Sequence, residues 1–117
     1  MKLGAVIAIA LAACSAVDGP TIDRLEPATA ARGATITVRG SSFCGPERAA
    51  ASGECTSLPS GAVDLGLAPP MVRAQVLAWS DAAITVQVPG TAPTGSVAVI
   101  VTVDGRSSNA ATLEVMP

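Results

Sequence analysis
The sequence contains no histidine and no tyrosine, and its only aromatic residues are Phe43 and Trp79. Histidine is the side chain most often used for proton transfer near neutral pH, and it is also the commonest metal ligand. The nine acidic residues occur singly, and no two of them are spaced as a pair along one strand face. The sequence therefore predicts a non-enzymatic protein without a metal site or a cofactor.

Basic residues are scarce as well. Lys2 is the only lysine, and after residue 13 six arginines stand against nine acidic residues, which gives a net charge of −3. A mildly acidic chain without a basic cluster has no means of releasing counterions from a phosphate backbone. We therefore do not expect nucleic acids among its partners.

An uncharged apolar segment follows Met1 and Lys2 and extends from Leu3 to Ala13. A basic start, a short apolar core and small residues at its end are typical of a secretory signal peptide. At about eleven residues, the segment is shorter than the roughly twenty that a membrane-spanning helix requires. The segment thus predicts export of the protein.

The segment ends in Leu11-Ala12-Ala13-Cys14, which resembles a bacterial lipobox. In a lipobox the cysteine thiol accepts the lipid, the peptide before it is removed, and the small residues fit the narrow peptidase site. The resemblance implies that Cys14 is lipidated and that acyl chains such as palmitate anchor the mature protein in a membrane. The alternative is an ordinary signal peptide in which Cys14 merely follows Ala13.

The predicted cleavage leaves 104 residues, which is enough for one domain and too few for two. We predict a lipoprotein signal peptide at 1–13, a lipidated amino terminus with a short linker at 14–19, and one domain at 20–117. Ser15 follows Cys14, whereas an aspartate at this position commonly marks retention in the inner membrane of Gram-negative bacteria. We therefore expect a lipid-anchored location in the bacterial cell envelope, at the outer membrane.

Cys44 and Cys55 remain as an even pair if Cys14 carries the lipid. Disulfides persist in exported proteins, and the ten residues between these two cysteines are small, polar and typical of turns. Two thiols without a histidine or a third cysteine make a poor zinc site. The sequence therefore predicts a Cys44–Cys55 disulfide that closes a loop.

Alternation of apolar and polar residues with a period of two predicts several β-strands after Pro20. In the segment 96–103 four valines share one face, and the small or apolar residues on the other face indicate a central strand. Asp104-Gly105 follows directly and predicts a two-residue hairpin turn. The predicted strands lie at 34–40, 83–89, 96–103 and 110–116, with weaker ones at 21–26, 62–67 and 72–78.

Each predicted strand has one apolar face, so two sheets have to close over a shared core. Glycines and prolines separate the strands at intervals that suit an all-β sandwich. We expect Gly40 to end a strand at a bend. Phe43 is expected to cover one end of the sandwich, with a surface anchor as the alternative.

An ordered series of short motifs extends through most of the mature chain. The motifs are Pro20-Thr21-Ile22-Asp23-Arg24-Leu25-Glu26-Pro27, Arg32-Gly33, Ile36-Thr37-Val38-Arg39-Gly40-Ser41-Ser42-Phe43, Ile84-Thr85-Val86-Gln87-Val88-Pro89, Gly95-Ser96-Val97, and Gly105 with Ser108 and Asn109. In this order they resemble the IPT/TIG domain family, which implies an immunoglobulin-like β-sandwich of early-set type. The segment from Cys44 to Cys55 departs from the family pattern and looks like a local insertion between the second and third strands.

Trp79 has two interpretations. It caps the core at the rim of the sandwich with its indole N–H in water, or it is an exposed platform on which a sugar ring stacks. We favour the first, because a single tryptophan in a small sandwich usually packs. A carbohydrate site also normally recruits several aromatic residues, which this chain lacks.

Resemblance to this family does not by itself fix a function, because its members occur in receptors, transcription factors, bacterial surface and glycan-binding lipoproteins, and enzymes. The hypothesis that we favour is a lipid-anchored structural or protein-interaction module, which presents loops or an edge strand to a protein partner. The alternative is a surface lipoprotein that binds an envelope polysaccharide through Trp79.

Overall fold
The computed structural model describes residues 19–45, 48–66 and 71–117. The predicted signal peptide, Cys14 and most of the predicted linker lie outside the described residues. Within these ranges all regular secondary structure is β-strand, and no helix is present that could cross a membrane. The strands are β1 (Thr21–Glu26), β2 (Thr29–Ala31), β3 (Thr35–Ser41), β4 (Gly61–Leu65), β5 (Val72–Arg73), β6 (Gln75–Trp79), β7 (Ala83–Gln87), β8 (Gly95–Val103), β9 (Arg106–Ser107) and β10 (Ala111–Met116).

The strands form two sheets that enclose one core. The four-stranded sheet has the order β1-β3-β7-β6, and the six-stranded sheet has the order β2-β10-β8-β4-β5 with β9 also paired to β8. Neighbouring strands are antiparallel, except for the parallel pair of β2 and β10. The prediction of an all-β sandwich is confirmed.

The core is built from the apolar faces of the alternating strands. Each fully buried valine or isoleucine contributes roughly 1.5–3 kcal/mol through removal from water. Strand β8 lies between β10 and β4, so the prediction of a central strand is confirmed. The core residues from β3, β7 and β8 are Ile36, Val38, Ile84, Val86, Val97, Val99, Val101 and Val103.

The strand predicted at 72–78 is in fact two strands in different sheets. Val72 and Arg73 pair with β4, whereas the residues from Gln75 onward pair with β7. Between them Ala74 is buried, and its N–H donates to the carbonyl of Val63 at 2.9 Å. The chain therefore crosses from the six-stranded to the four-stranded sheet at Ala74, which the sequence pattern does not reveal.

Strand β2 was not predicted, because its three residues are too few to show a clear alternation of apolar and polar residues. It is a strand only because it pairs with β10. The other predicted strands agree with the structure to within two residues at each end, although residue 67, the last of the strand predicted at 62–67, lies outside the described residues. At the predicted hairpin, Asp104 and Gly105 have φ values of 49° and 85°, and β8 pairs with β9 across them. This turn prediction is confirmed, although a short strand and a loop precede the predicted final strand.

Asn109 connects the last loop to the first strand. Its side-chain oxygen accepts a hydrogen bond from the N–H of Ile22 at 2.8 Å, and its amide nitrogen donates to the carbonyl of Ile22 at 2.9 Å. A side-chain amide can satisfy both groups of one residue in this way, because it carries a donor and an acceptor. The asparagine at the end of the predicted motif thus fastens β1 to the six-stranded sheet.

Gly40 lies inside β3 and does not end it, since the strand continues to Ser41. A Cβ atom at Gly40 would collide with the carbonyl oxygen of Thr21 on β1 and would lie 2.7 Å from Cζ of Phe43. Glycine is required here because backbone and ring approach too closely for any side chain.

We expect Gly40→Ala to reduce the free energy of unfolding by at least about 2 kcal/mol, because the added methyl forces β1 and Phe43 apart. Gly90→Ala is the matched control, since a Cβ at Gly90 meets no atom within 4 Å. This control should change stability by about 0.5 kcal/mol or less. Urea unfolding followed by circular dichroism measures both, and equal midpoints for the two variants would contradict the assignment.

Candidate functional site
Several connections meet at the end of the sandwich from which β1 starts, here called the amino-terminal end. In the four-stranded sheet Thr21 lies opposite Ser41, so β1 begins where β3 ends. In the six-stranded sheet Gly61 lies opposite Val103, so β4 begins where β8 ends. The amino-terminal end therefore contains the β3–β4 connection, the β6–β7 turn and the β8–β9 turn.

A disulfide joins Cys44 to Cys55 within the β3–β4 connection, with 5.2 Å between the two Cα atoms. The predicted disulfide is confirmed. Cys44 is buried, and Cys55 also forms an isolated β-bridge with Ala49. In the chain-entropy account, closing a loop of this length stabilises the fold by about 3 kcal/mol at most.

Asp81 ties the disulfide-closed loop to the β6–β7 turn. Its carboxylate accepts a hydrogen bond from the N–H of Cys44 at 3.0 Å, and its carbonyl accepts one from the N–H of Phe43 at 3.1 Å. Its own N–H donates to the carbonyl of Gly53 at 2.9 Å. The loop is thus held at both ends, and the turn that follows Trp79 is held with it.

Trp79 closes the amino-terminal end as a half-buried side chain packed against the core. Its Nε1 donates a hydrogen bond to the carbonyl of Phe43 at 2.7 Å. The prediction that the indole N–H points into water is therefore wrong, because this group is bonded within the protein. Phe43 itself is fully buried and covers this end of the core. A Cβ atom at Gly61 would lie 2.6 Å from Cη2 of the indole, so the ring packs directly on that glycine.

Two shallow depressions border Trp79, with volumes of about 410 Å³ and about 190 Å³. Leu58 and Trp79 line both of them, and Pro59, Gly61 and Val76 complete the smaller one. Leu58 is 73% exposed although it is a large apolar residue. We call Leu58, Pro59 and Trp79 the apolar rim.

Strand β6 forms one edge of the four-stranded sheet and pairs with β7 on one side. Its register shifts between Val76 and Ala78, which places Leu77 in a β-bulge. Gln75 through Ala78 are exposed, with Leu77 at 52%, and the strand contains no charged residue. This edge was not predicted, although the sequence of β6 shows an uncharged run without alternation.

Glu26 and Asp64 form ion pairs with arginines on the surface of the sandwich. Glu26 accepts hydrogen bonds from Arg39 at 2.7 Å and from Arg24 at 2.6 Å, which lower the pKa of its carboxyl. Asp64 accepts a bond from Arg73 at 3.0 Å, which raises the pKa of that guanidinium. Among the described residues no group of three or more acidic or cysteine side chains is placed to hold a metal ion.

We expect Trp79→Phe to lower the free energy of unfolding by about 1–3 kcal/mol, because it leaves the Phe43 carbonyl without its donor. Trp79→Ala also removes the ring above Gly61 and should cost about 3 kcal/mol or more. Leu77→Ala is the control, since an exposed edge residue should change stability by about 0.5 kcal/mol or less. Urea unfolding followed by circular dichroism tests this, and an unchanged midpoint for Trp79→Ala would refute the capping role.

Comparison with known proteins identifies the fold and the family. No curated protein matches the chain. Among solved structures, a gamma-CGTase from alkalophilic Bacillus clarkii is similar at 22% identity and a TM-score of 0.65, over 87% of this chain and 13% of that one. A putative phosphatase from Bacteroides thetaiotaomicron VPI-5482 is similar at 16% identity and a TM-score of 0.52, over 84% of this chain and 18% of that one.

This chain spans less than a fifth of either structure, and at these identities the likeness shows the fold alone. The family model for the IPT/TIG domain matches residues 20–115, which is most of the sequence and includes the motifs named above. The two-sheet sandwich is therefore an immunoglobulin-like domain, and the chain belongs to the IPT/TIG domain family.

Proposed function
We propose that this chain is a non-enzymatic, lipid-anchored protein of the bacterial cell envelope, in which one IPT/TIG domain acts as a structural or protein-interaction module. The observation that carries the interaction role is the open, uncharged edge strand β6. The main chain of an edge strand offers unpaired N–H and C=O groups, to which a strand of another protein can be added.

The two edges of the four-stranded sheet differ in charge. Strand β1 carries Asp23, Arg24 and Glu26, which is how natural proteins discourage pairing at an edge. Strand β6 has no charged residue and no proline, and it exposes Val76 and Leu77. Apolar side chains beside a free main chain favour a partner strand at β6 over one at β1.

The lipid anchor and the location rest on the sequence. Residues 11–14 follow an uncharged apolar segment in the order of a lipobox, with Cys14 as the acceptor. Several acyl chains on one residue anchor firmly, since each buried methylene contributes roughly 0.8 kcal/mol, whereas a single chain binds only marginally. Ser15 favours the outer membrane as the destination.

We expect Cys14→Ser to move the protein from the membrane fraction to the soluble fraction, because the acceptor of the lipid is gone. The matched control is the double variant Cys44→Ser with Cys55→Ser, which removes two thiols elsewhere and should leave membrane fractionation unchanged. Fractionation of cells followed by immunoblotting measures both. Membrane retention of the Cys14→Ser protein would count against lipidation.

The edge-strand proposal is tested with a photo-reactive amino acid at Gln75, and with Thr112 on an exposed position of β10 as the control site. Cross-linking in intact cells should give a discrete protein adduct from position 75 and none from position 112. Adding Leu77→Asp should reduce the adduct about tenfold, which corresponds to about 1.4 kcal/mol of binding energy. Equal adducts from both positions, or no effect of the aspartate, would contradict the proposal.

The alternative function, glycan binding through Trp79, is supported by the two depressions that border this side chain. It is weakened by the indole N–H, which is bonded to Phe43 and is therefore not free for a sugar hydroxyl. The Trp79→Ala variant discriminates the two functions. Loss of polysaccharide binding with a retained fold favours the glycan function, whereas loss of stability alone favours the module.

A further inference from the structure
The amino-terminal end lies near the proposed point of lipid attachment. Five residues, Ser15 through Gly19, separate Cys14 from Pro20, the residue before β1, so the linker spans at most about 20 Å when extended. Gly19 lies beside the β8–β9 hairpin, where a Cβ atom would be 3.8 Å from the carbonyl oxygen of Ser107. Strand β8 alone has nine residues and is about 30 Å long, so the linker is shorter than the sandwich.

The most exposed large apolar residue described, Leu58, lies at this same end. No charged residue occurs from Cys55 to Val63, on either side of Leu58. The neighbouring Trp79 is the only tryptophan of the chain. An exposed aliphatic side chain beside a tryptophan, without nearby charge in the sequence, is the composition that suits the boundary between lipid headgroups and acyl chains.

The fold holds Leu58 outward from both sides. Before it, the N–H and the hydroxyl of Thr56 donate to the carbonyl of Arg48 at 2.6 and 3.0 Å. After it, the N–H of Ser60 donates to the Asp104 carboxylate at 3.0 Å, and the N–H of Asp104 donates to the carbonyl of Ser60 at 2.7 Å. Because both flanks are fixed, the exposure of Leu58 is a property of the folded loop.

The charged groups beside this loop differ in their bonding. Arg48 and Asp104 form an ion pair at 3.0 Å, and Asp81 is bonded to the N–H of Cys44. The exposed Glu54 lines the larger depression together with Leu58 and Trp79, whereas Pro59, Gly61 and Val76 line the smaller one. None of the described residues that line the smaller depression is charged, so on that side the apolar rim can face a lipid surface without burying a charge.

We propose that the amino-terminal end of the domain rests on the lipid bilayer, with Leu58 inserted among the headgroups and Trp79 at the interface. This inference rests on the proposed lipid anchor, which holds that end close to the membrane. The occupant of the apolar rim is thus the bilayer to which Cys14 is attached. The opposite end of the sandwich then points away from the membrane.

Trp79 reports on this orientation directly, because the chain has no other tryptophan and no tyrosine. The full lipoprotein is reconstituted into phosphatidylcholine vesicles with either brominated or ordinary acyl chains, and vesicle attachment is verified by flotation. Bromine quenches tryptophan emission only at short range. Comparing the two vesicle types also cancels any constant quenching by the nearby disulfide.

We expect Trp79 emission to be lower on brominated vesicles than on ordinary ones. Leu58→Ser should diminish this loss, since it removes the inserted side chain. Leu77→Ser is the matched control, because it makes the same chemical change at another exposed leucine, on β6, and should leave the quenching unchanged.

The outcomes separate the anchor from the orientation. A protein that does not float with the vesicles overturns both the lipid anchor and the inference that rests on it. A protein that floats, but whose Trp79 emission is equal on both vesicle types and remains quenched by aqueous acrylamide, overturns the orientation and leaves the anchor intact. Equal quenching in the Leu58→Ser and parent proteins overturns the insertion of Leu58.

Discussion
The hydrogen bond from Trp79 Nε1 to the carbonyl of Phe43 is the interaction on which the amino-terminal end depends. It joins the end of β6 to the residue that covers the core, and the disulfide at Cys44 begins one residue later. The ring can take this position only because Gly61 has no side chain. With two aromatic residues in the whole chain, the closure of one end of the sandwich falls to this single pair.

The parts of the fold that are encoded locally could be predicted from the sequence. The valines of β8 alternate strictly, and Asp104-Gly105 is a turn that needs only its own two residues. The split at Ala74 and strand β2 could not be predicted, because both are defined by the strand with which they pair. Alternation shows that a segment is extended, but not which sheet receives it.

At the candidate site, the sequence predicted which residues are important but not the backbone groups to which they are hydrogen-bonded. The two cysteines were matched by elimination, since no other cysteine remains if Cys14 is lipidated. The bonding of the Trp79 N–H was predicted wrongly as contact with water, because its acceptor is a backbone carbonyl 36 residues away. Carbonyls have no sequence signature, so a pattern of side chains cannot reveal such a bond.

The proposed orientation and the proposed edge-strand interaction are geometrically compatible. Strand β6 runs along the sandwich and ends at Trp79. If the amino-terminal end lies on the membrane, Gln75 to Ala78 remain exposed on the side of the domain, where a soluble or a neighbouring anchored protein can reach them. A short tether would limit rotation of the domain and so present β6 in a narrow range of directions. The same orientation conflicts with glycan binding at Trp79, because one indole face cannot lie in the lipid interface and stack on a polysaccharide at once. The proposed anchor would therefore bear on recognition as well as on location, since it would decide which apolar surface remains available.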